Sequence, residues 1–296
     1  MLHLIPAVIM ALLASRALPA EMDLGGLTVN LTESGRVTGL SAGGQSLLDP
    51  SGVPTSGFSV WDHAADKGFV GFPTRVEATP TGWRFSGESD GLRLVARFQR
   101  AGSGYAVRGS LRRVDARDRF VSMRLALPVD VEGWRWWRTI ARSMGMRVGR
   151  DRHNGMRTGL GTGLCDILPM AAASNGRVTI GYTVPMDRQL LHSTLFDGET
   201  RNFGIVFDFA MCGAVPRHAD RANFAFELFA PAEPSGLRAV ASEYFALYPQ
   251  WGEAPQCPPG GWCAWGDIGQ HEGPLCDFGL LYQEGPTAAG VKTCNA

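Results

Sequence analysis

Leu92-Arg93-Leu94-Val95-Ala96-Arg97-Phe98 decides the fold. Leu92, Leu94, Ala96 and Phe98 fall at every second position, the period at which an extended strand returns side chains to one face. The same period runs outward in both directions. Upstream, Trp83 and Phe85 begin a strand, and Leu27, Val29 and Leu31 alternate up to the turn Glu33-Ser34-Gly35-Arg36, after which Val37 and Leu40 complete a hairpin. Downstream come Tyr105, Val107 and Gly109, a charged loop from Arg112 to Arg119, and then Val121, Met123, Leu125 and Leu127. Val178-Ile180-Tyr182-Val184, Phe203-Ile205-Phe207-Phe209 and Phe224-Phe226-Leu228 continue the pattern. Many short alternating strands broken by Gly, Pro and Asp turns predict a mainly β fold, a large antiparallel β-sandwich over residues 21–232.

The rhythm changes after Ser235. Leu237, Val240, Ala241, Tyr244, Leu247 and Tyr248 follow helical spacing, with Ser235 as the expected N-cap and Pro249 as the stop. This amphipathic helix and the Pro-rich loop after it make a linker over residues 233–260. A Trp- and Cys-rich tail follows, in which Gly261-Trp262-Cys263-Ala264-Trp265-Gly266-Asp267-Ile268 reads as a strand ending in the polar loop Gly269-Gln270-His271-Glu272. An acid at the carboxyl end of a strand stands where α/β barrels keep substrate groups, and a second half-motif, Asp277-Phe278-Gly279-Leu280-Leu281-Tyr282-Gln283-Glu284-Gly285, comes soon after.

Composition bounds the function classes. The 296 residues carry 28 Lys plus Arg and 28 Asp plus Glu, so no cationic excess argues for nucleic acid as a partner. Only Lys67 and Lys292 among those cations are lysine. The apolar run Leu4 to Leu13, followed by small-residue cleavage sites at Ser15-Arg16-Ala17 and Leu18-Pro19-Ala20, predicts a signal peptide over residues 1–20 and a secreted or periplasmic protein. Its charge-poor start leaves a buried N-terminal segment as the rival reading. The run is shorter than the roughly 20 residues of a membrane span, so no membrane contact is expected beyond the signal peptide.

Cys257, Cys263, Cys276 and Cys294 crowd the tail, while Cys165 and Cys212 stand apart. In an oxidising compartment the four suggest one or two disulfides in any of three connectivities. A metal site from His271, Cys263 and Cys276 is disfavoured, because no Cys-x-x-Cys pair is present. Neither metal nor cofactor is expected. Nucleophile-elbow, zinc-protease, phosphate-loop and dinucleotide signatures are also absent from the sequence.

Phe120-Val121-Ser122-Met123-Arg124-Leu125-Ala126-Leu127-Pro128-Val129-Asp130 and Gly133-Trp134-Arg135-Trp136-Trp137 resemble the N-terminal super-sandwich of certain large secreted bacterial proteins of glycoside-hydrolase type. The helix Leu237 to Tyr248 with its Tyr-Pro ending, the Trp-rich strand and the Asp277 to Gly285 stretch look like that family's linker helix and the entry to its TIM-type barrel. The resemblance covers most of residues 24–285, and the sandwich is similar to the galactose-mutarotase-like fold in architecture alone. In such proteins a complete barrel of about 250 residues follows. Residues 261–296 therefore read as a truncated start of that barrel or as a disulfide-pinned tail. The resemblance brings no catalytic pair, so the catalytic residues are unknown.

Glycoside hydrolysis needs two carboxyl groups across a sugar. Asp267 is the best placed acid, with Glu272, Asp277 and Glu284 near it, while Trp265 or Trp262 would stack on a sugar ring. Trp61-Asp62-His63-Ala64-Ala65-Asp66 offers a second mix suited to sugar hydroxyls. Trp265, Asp267, Glu272, Trp61 and Asp62 are thus the candidate substrate-binding residues, against the ordinary readings of loop solvation, capping and buried indole. Seven arginines between Arg135 and Arg157 would suit an acidic polysaccharide, but a solvated loop is the favoured reading. The function expected is the sandwich portion of an extracellular glycoside hydrolase acting on polysaccharide or oligosaccharide, inactive without its barrel. The alternative is a free-standing carbohydrate-binding or interaction sandwich.

Overall fold

The structure is a computed structural model and describes residues 20–152, 168–188, 190–214 and 219–253, with the backbone of 153–155, 261–264 and 280–284. It is mainly β. Strands β1 (Ala20–Asp23), β2 (Thr28–Leu31), β3 (Val37–Ala42) and β4 (Gln45–Ser46) pair antiparallel in chain order as a small sheet. Next come β5 (Gly57–Asp62), β6 (Val70–Gly71), β7 (Arg75–Thr79), β8 (Gly82–Ser89), β9 (Leu92–Ala101), β10 (Gly104–Arg113) and β11 (Arg119–Pro128). They are followed by β12 (Arg135–Thr139), β13 (Arg142–Gly145), β14 (Arg152–Gly155), β15 (Met170–Ser174), β16 (Thr179–Thr183), β17 (His192–Asp197), β18 (Asn202–Met211) and β19 (Arg221–Phe229).

These strands build two antiparallel sheets that pack face to face. The nine-stranded sheet runs β13-β12-β15-β16-β19-β10-β9-β8-β7, and the six-stranded sheet runs β14-β17-β18-β11-β5-β6. Alternation sets which side faces in: Leu92, Leu94, Ala96 and Phe98 of β9 are buried, and they share one core with Val121, Met123, Leu125 and Leu127 on the inner face of the other sheet. Aromatic rings fasten the two layers. Phe58 lies 5.6 Å from Phe85 and Trp136 lies 5.6 Å from Phe203, both edge to face, a geometry worth about 0.5–1.5 kcal/mol beyond area burial.

The arginine-rich run is not a loop. Its first part forms β12 and β13, because Trp134 and Trp136 alternate into the core while Arg135 and Arg138 point to solvent. Two buried indoles outweigh the solvation preference of their charged neighbours.

Helix α1 (Leu237–Leu247) buries Leu237, Val240, Ala241 and Tyr244, as the helical spacing predicts. Ser235 does not cap it: the Ser235 hydroxyl is buried without a partner, and Gly236, at φ +66°, stands before the first turn with its N–H on Thr179 Oγ1 at 3.2 Å. The helix lies on the outer face of the nine-stranded sheet, over β12, β15 and β16. Gly181 permits that approach, since a Cβ there would collide with Val240.

The chain divides into two compact units, the first ending at Leu247 and the second running from Tyr248. In the second, β20 (Gly261–Ala264) and β21 (Leu280–Glu284) pair in parallel. Parallel neighbours need a connection of a dozen or more residues, and residues 265–279, which separate the two strands in sequence, lie outside the described residues. The expected signal peptide up to residue 19, the four tail cysteines' side chains and Cys165 lie outside the described residues. Cys212 is a free thiol.

Candidate functional site

Helix α1 covers one part of the nine-stranded sheet's outer face, and beside it, over β9, β10 and β19, no other described element packs on that face. Antiparallel register fixes what that surface presents. Arg84, Arg97, Arg108 and Ala225 stand in one row across β8, β9, β10 and β19. Two residues along each strand, Ser86, Val95, Ser110 and Asn223 form the next row; beyond them come Glu88, Arg93, Arg112 and Arg221. All are at outward positions, because Leu94, Phe98, Val107, Leu111 and Phe226 take the inward ones.

A cleft of about 490 Å³ opens on this floor, with Arg188 and Leu190 of the β16–β17 loop contributing to its wall. Among the described residues, Arg97, Arg108, Arg188 and Arg221 line it together with Ser110 and Asn223, and no carboxylate does. Arg108 is held from beneath: its Nη1 donates to Glu227 Oε1 at 3.2 Å, while Glu227 Oε2 accepts from Thr183 Oγ1 at 2.7 Å. Glu227 is 0 % exposed, so this guanidinium is anchored by a carboxylate that solvent does not reach. Arg93 and Arg112 pair at the rim with Glu88 and Asp220, and Arg188 approaches Asp187 at 3.7 Å. Among the described residues, the side chains of Arg97 and Arg221 make neither a hydrogen bond nor an ion pair. The arrangement offers fixed donors and free cations around a row of neutral hydrogen-bonding groups.

The sequence candidates Trp61 and Asp62 sit at the end of β5, in the other sheet. Asp62 is engaged by a buried cation, with Arg119 Nη1 donating to its Oδ2 at 2.7 Å. Arg119 is 3 % exposed and also donates to Asp115 at 2.6 Å. That bond is the chief reason the Asp115 carboxyl drops to about 2. Trp61 points to the opposite outer face of the sandwich, where its ring lies 4.7 Å from His63 and 5.9 Å from Phe69. Its indole N–H is buried without a partner.

A Ser–His–Asp trio stands next to Trp61, but in the wrong order for nucleophilic catalysis. Ser122 Oγ donates to Asp208 Oδ1 at 2.5 Å and lies 2.9 Å from His63 Nε2. The serine proton is therefore committed to the carboxylate, and His63 Nε2 must donate to Ser122 rather than accept from it. A triad needs histidine between the other two.

Trp265, Asp267 and Glu272 lie outside the described residues. The cleft residues Arg97, Arg108, Ser110, Arg188, Arg221 and Asn223 carry no sequence motif. Their one legible signal is that arginine fills alternate outward positions of β9 and β10, at 93 and 97 and at 108 and 112. Their meeting depends on β19 lying beside β10, a pairing between strands more than a hundred residues apart.

No protein-family model matches the chain, and no curated protein matches it. Among solved structures it is similar to a galactose mutarotase-like protein from Lactobacillus casei, with 9 % identity and a TM-score of 0.39 over 72 % of this chain and 99 % of that one. It is similar also to the α-galactosidase of Lactobacillus brevis, at 8 % identity and a TM-score of 0.38, covering 83 % of this chain and 44 % of the enzyme. For the 4-α-glucanotransferase of Thermococcus litoralis the values are 6 % and 0.37, over 69 % of this chain and 35 % of the enzyme. The chain thus spans less than half of the two enzymes. At these identities the likeness concerns the course of the chain, not its chemistry.

Proposed function

We propose that the chain binds a polysaccharide or oligosaccharide in the open cleft of the nine-stranded sheet, as the sandwich portion of an extracellular protein of glycoside-hydrolase type. The cleft carries this reading. Its volume of about 490 Å³ lies in the range of small-ligand sites, and its floor alternates hydroxyl, amide and guanidinium groups with small apolar surface from Val95 and Ala225. A sugar presents many hydroxyls, each able to donate and accept, and a mixed floor of this kind can satisfy several at once. The two-carboxylate route of glycoside hydrolysis finds no pair there among the described residues, none of which puts an acid on the cleft lining. Binding, not bond cleavage, is what this site supports.

A hydrolase connection draws on a separate observation, the parallel pairing of β20 with β21, the pairing used at the start of a barrel. In that reading Asp267 and Glu272 are the acids to examine. Sugar binding by the sandwich is tested by calorimetric titration of the full chain with a glycan panel. A ligand is expected whose affinity falls at least tenfold in Ser110→Trp, with the melting temperature unchanged. Absence of any glycan ligand contradicts the proposal, as does a ligand that is lost in Trp61→Ala yet kept in Ser110→Trp.

A further inference from the structure

We infer that the glycan taken by this cleft is acidic, a polysaccharide bearing carboxylates that bridge its two arginine rows; the inference rests on the carbohydrate-binding reading above. Placement carries it rather than residue type, because arginine outnumbers lysine throughout this chain.

Arg97 stands directly across from Arg84 on one side and Arg108 on the other, and Arg112 stands between Arg93 and Arg221. Like charges directly opposite on neighbouring strands weaken a sheet. Two such rows on one face, in a chain whose formal net charge is zero, concentrate cation where the fold gains nothing from it. The protein's own acids compensate only in part. Glu77, Glu88, Asp220 and Glu227 answer Arg84, Arg93, Arg112 and Arg108, which leaves Arg97 in one row and Arg221 in the other without a counter-charge among the described residues. They stand at diagonal corners of the cleft. Strand spacing and rise put the two rows about 13 Å apart along the strands, with Arg97 and Arg221 two strands apart across them.

A ligand that answers both corners carries at least two negative charges separated by neutral, hydrogen-bonding structure that faces Ser110 and Asn223. An acidic oligosaccharide has that pattern: charged groups at intervals along a hydroxyl-rich chain. Guanidinium pairs with carboxylate through two parallel hydrogen bonds, which fixes orientation as well as charge. Single-stranded nucleic acid fits less well, for it needs exposed aromatic platforms. Among the described residues the aromatic one at this cleft is Phe224, whose ring is 2 % exposed and turned into the core against Phe58 and Phe207.

The test is calorimetric titration of the full chain with an oligogalacturonate, its carboxyl-reduced neutral counterpart, a sulfated dextran and a single-stranded DNA. Oligogalacturonate is expected to bind at least tenfold more tightly than the reduced form and than the DNA, and to weaken with salt. The Arg97→Gln/Arg221→Gln variant should lose that preference at least tenfold without melting at a lower temperature, as both side chains are exposed and their removal relieves like-charge opposition. The comparison of native with reduced polymer needs no variant, so it stands even if the variant misfolds. Equal or tighter binding of the reduced form overturns the inference and leaves the carbohydrate reading intact. Binding of no glycan, charged or neutral, overturns both. DNA or sulfated dextran binding as tightly as oligogalacturonate overturns the assignment to carboxylated glycan in favour of a general polyanion surface.

Discussion

Arg124 shows how far single side chains depart from what their positions in the sequence suggest. It sits at an outward position of β11, yet it is 0 % exposed. Its Nε donates to Ser59 Oγ at 3.1 Å and its Nη1 to Asp197 Oδ2 at 3.3 Å, and Phe69 lies under the guanidinium at 4.1 Å. Burial pulls the Arg124 pKa down, against the pull of Asp197. Asp197 is pushed up by its own burial, but hydrogen bonds from Thr200, with the charge of Arg124 and the N–H of Glu199, hold it below the ordinary carboxylate range. Asp197→Asn would strand a buried cation, a change that costs about 3 kcal/mol. Urea unfolding measures it, and a loss under about 0.5 kcal/mol would show that the pair contributes little. Asp49, Asp115 and Asp118 are likewise held low, Asp115 at about 2. A carboxyl lowered by folding stabilises the protein above its unfolded pKa of about 3.9, and that contribution disappears as pH falls through the folded value. The melting temperature should therefore hold between pH 7 and 5 and drop below about pH 4. A rise on acidification from pH 4 to 3 would contradict the assignment.

Elements were legible where one face of a strand is wet. Strand β9 alternates cleanly because its outer face reaches solvent, β11, β18 and β19 alternate in sequence because their outer faces carry mostly small or polar residues even where these are buried, and helix α1 declared itself by its apolar stripe. Strand β15, Met-Ala-Ala-Ala-Ser, was not legible. All five of its residues are buried, because the core covers one face and α1 the other, so no period of two survives. Strands β12 and β13 hid for another reason, since their arginines read as a solvated run while the burial was carried by Trp134 and Trp136. The seat of α1 makes its own prediction. Gly181→Val places side-chain atoms where Val240 packs and should cost about 1–3 kcal/mol, read as a lower melting temperature. Adding Val240→Ala should return part of that loss; a double variant no better than the single would mean that the contact is not what constrains residue 181.

At the scale of the whole molecule, alternation predicted the sandwich but not the site, because alternation says which residues face out and is silent on which strands are neighbours. Arg97 and Arg221 share a cleft only through the order β9-β10-β19. Export remains the proposal of the N-terminal sequence, and terminal sequencing of protein recovered from producing cells checks it. A mature chain starting after Ala17 or Ala20, found outside the cytoplasm, is expected, and an intact Met1 on cytoplasmic protein would contradict it. The central claim is that the open face of the nine-stranded sheet holds a glycan. A crystal structure of the full chain with its tightest oligosaccharide ligand tests that most directly. The account predicts sugar density over Ser110 and Asn223, reaching toward Arg97 and Arg221. Density instead against Trp61 and His63 on the opposite face would contradict it.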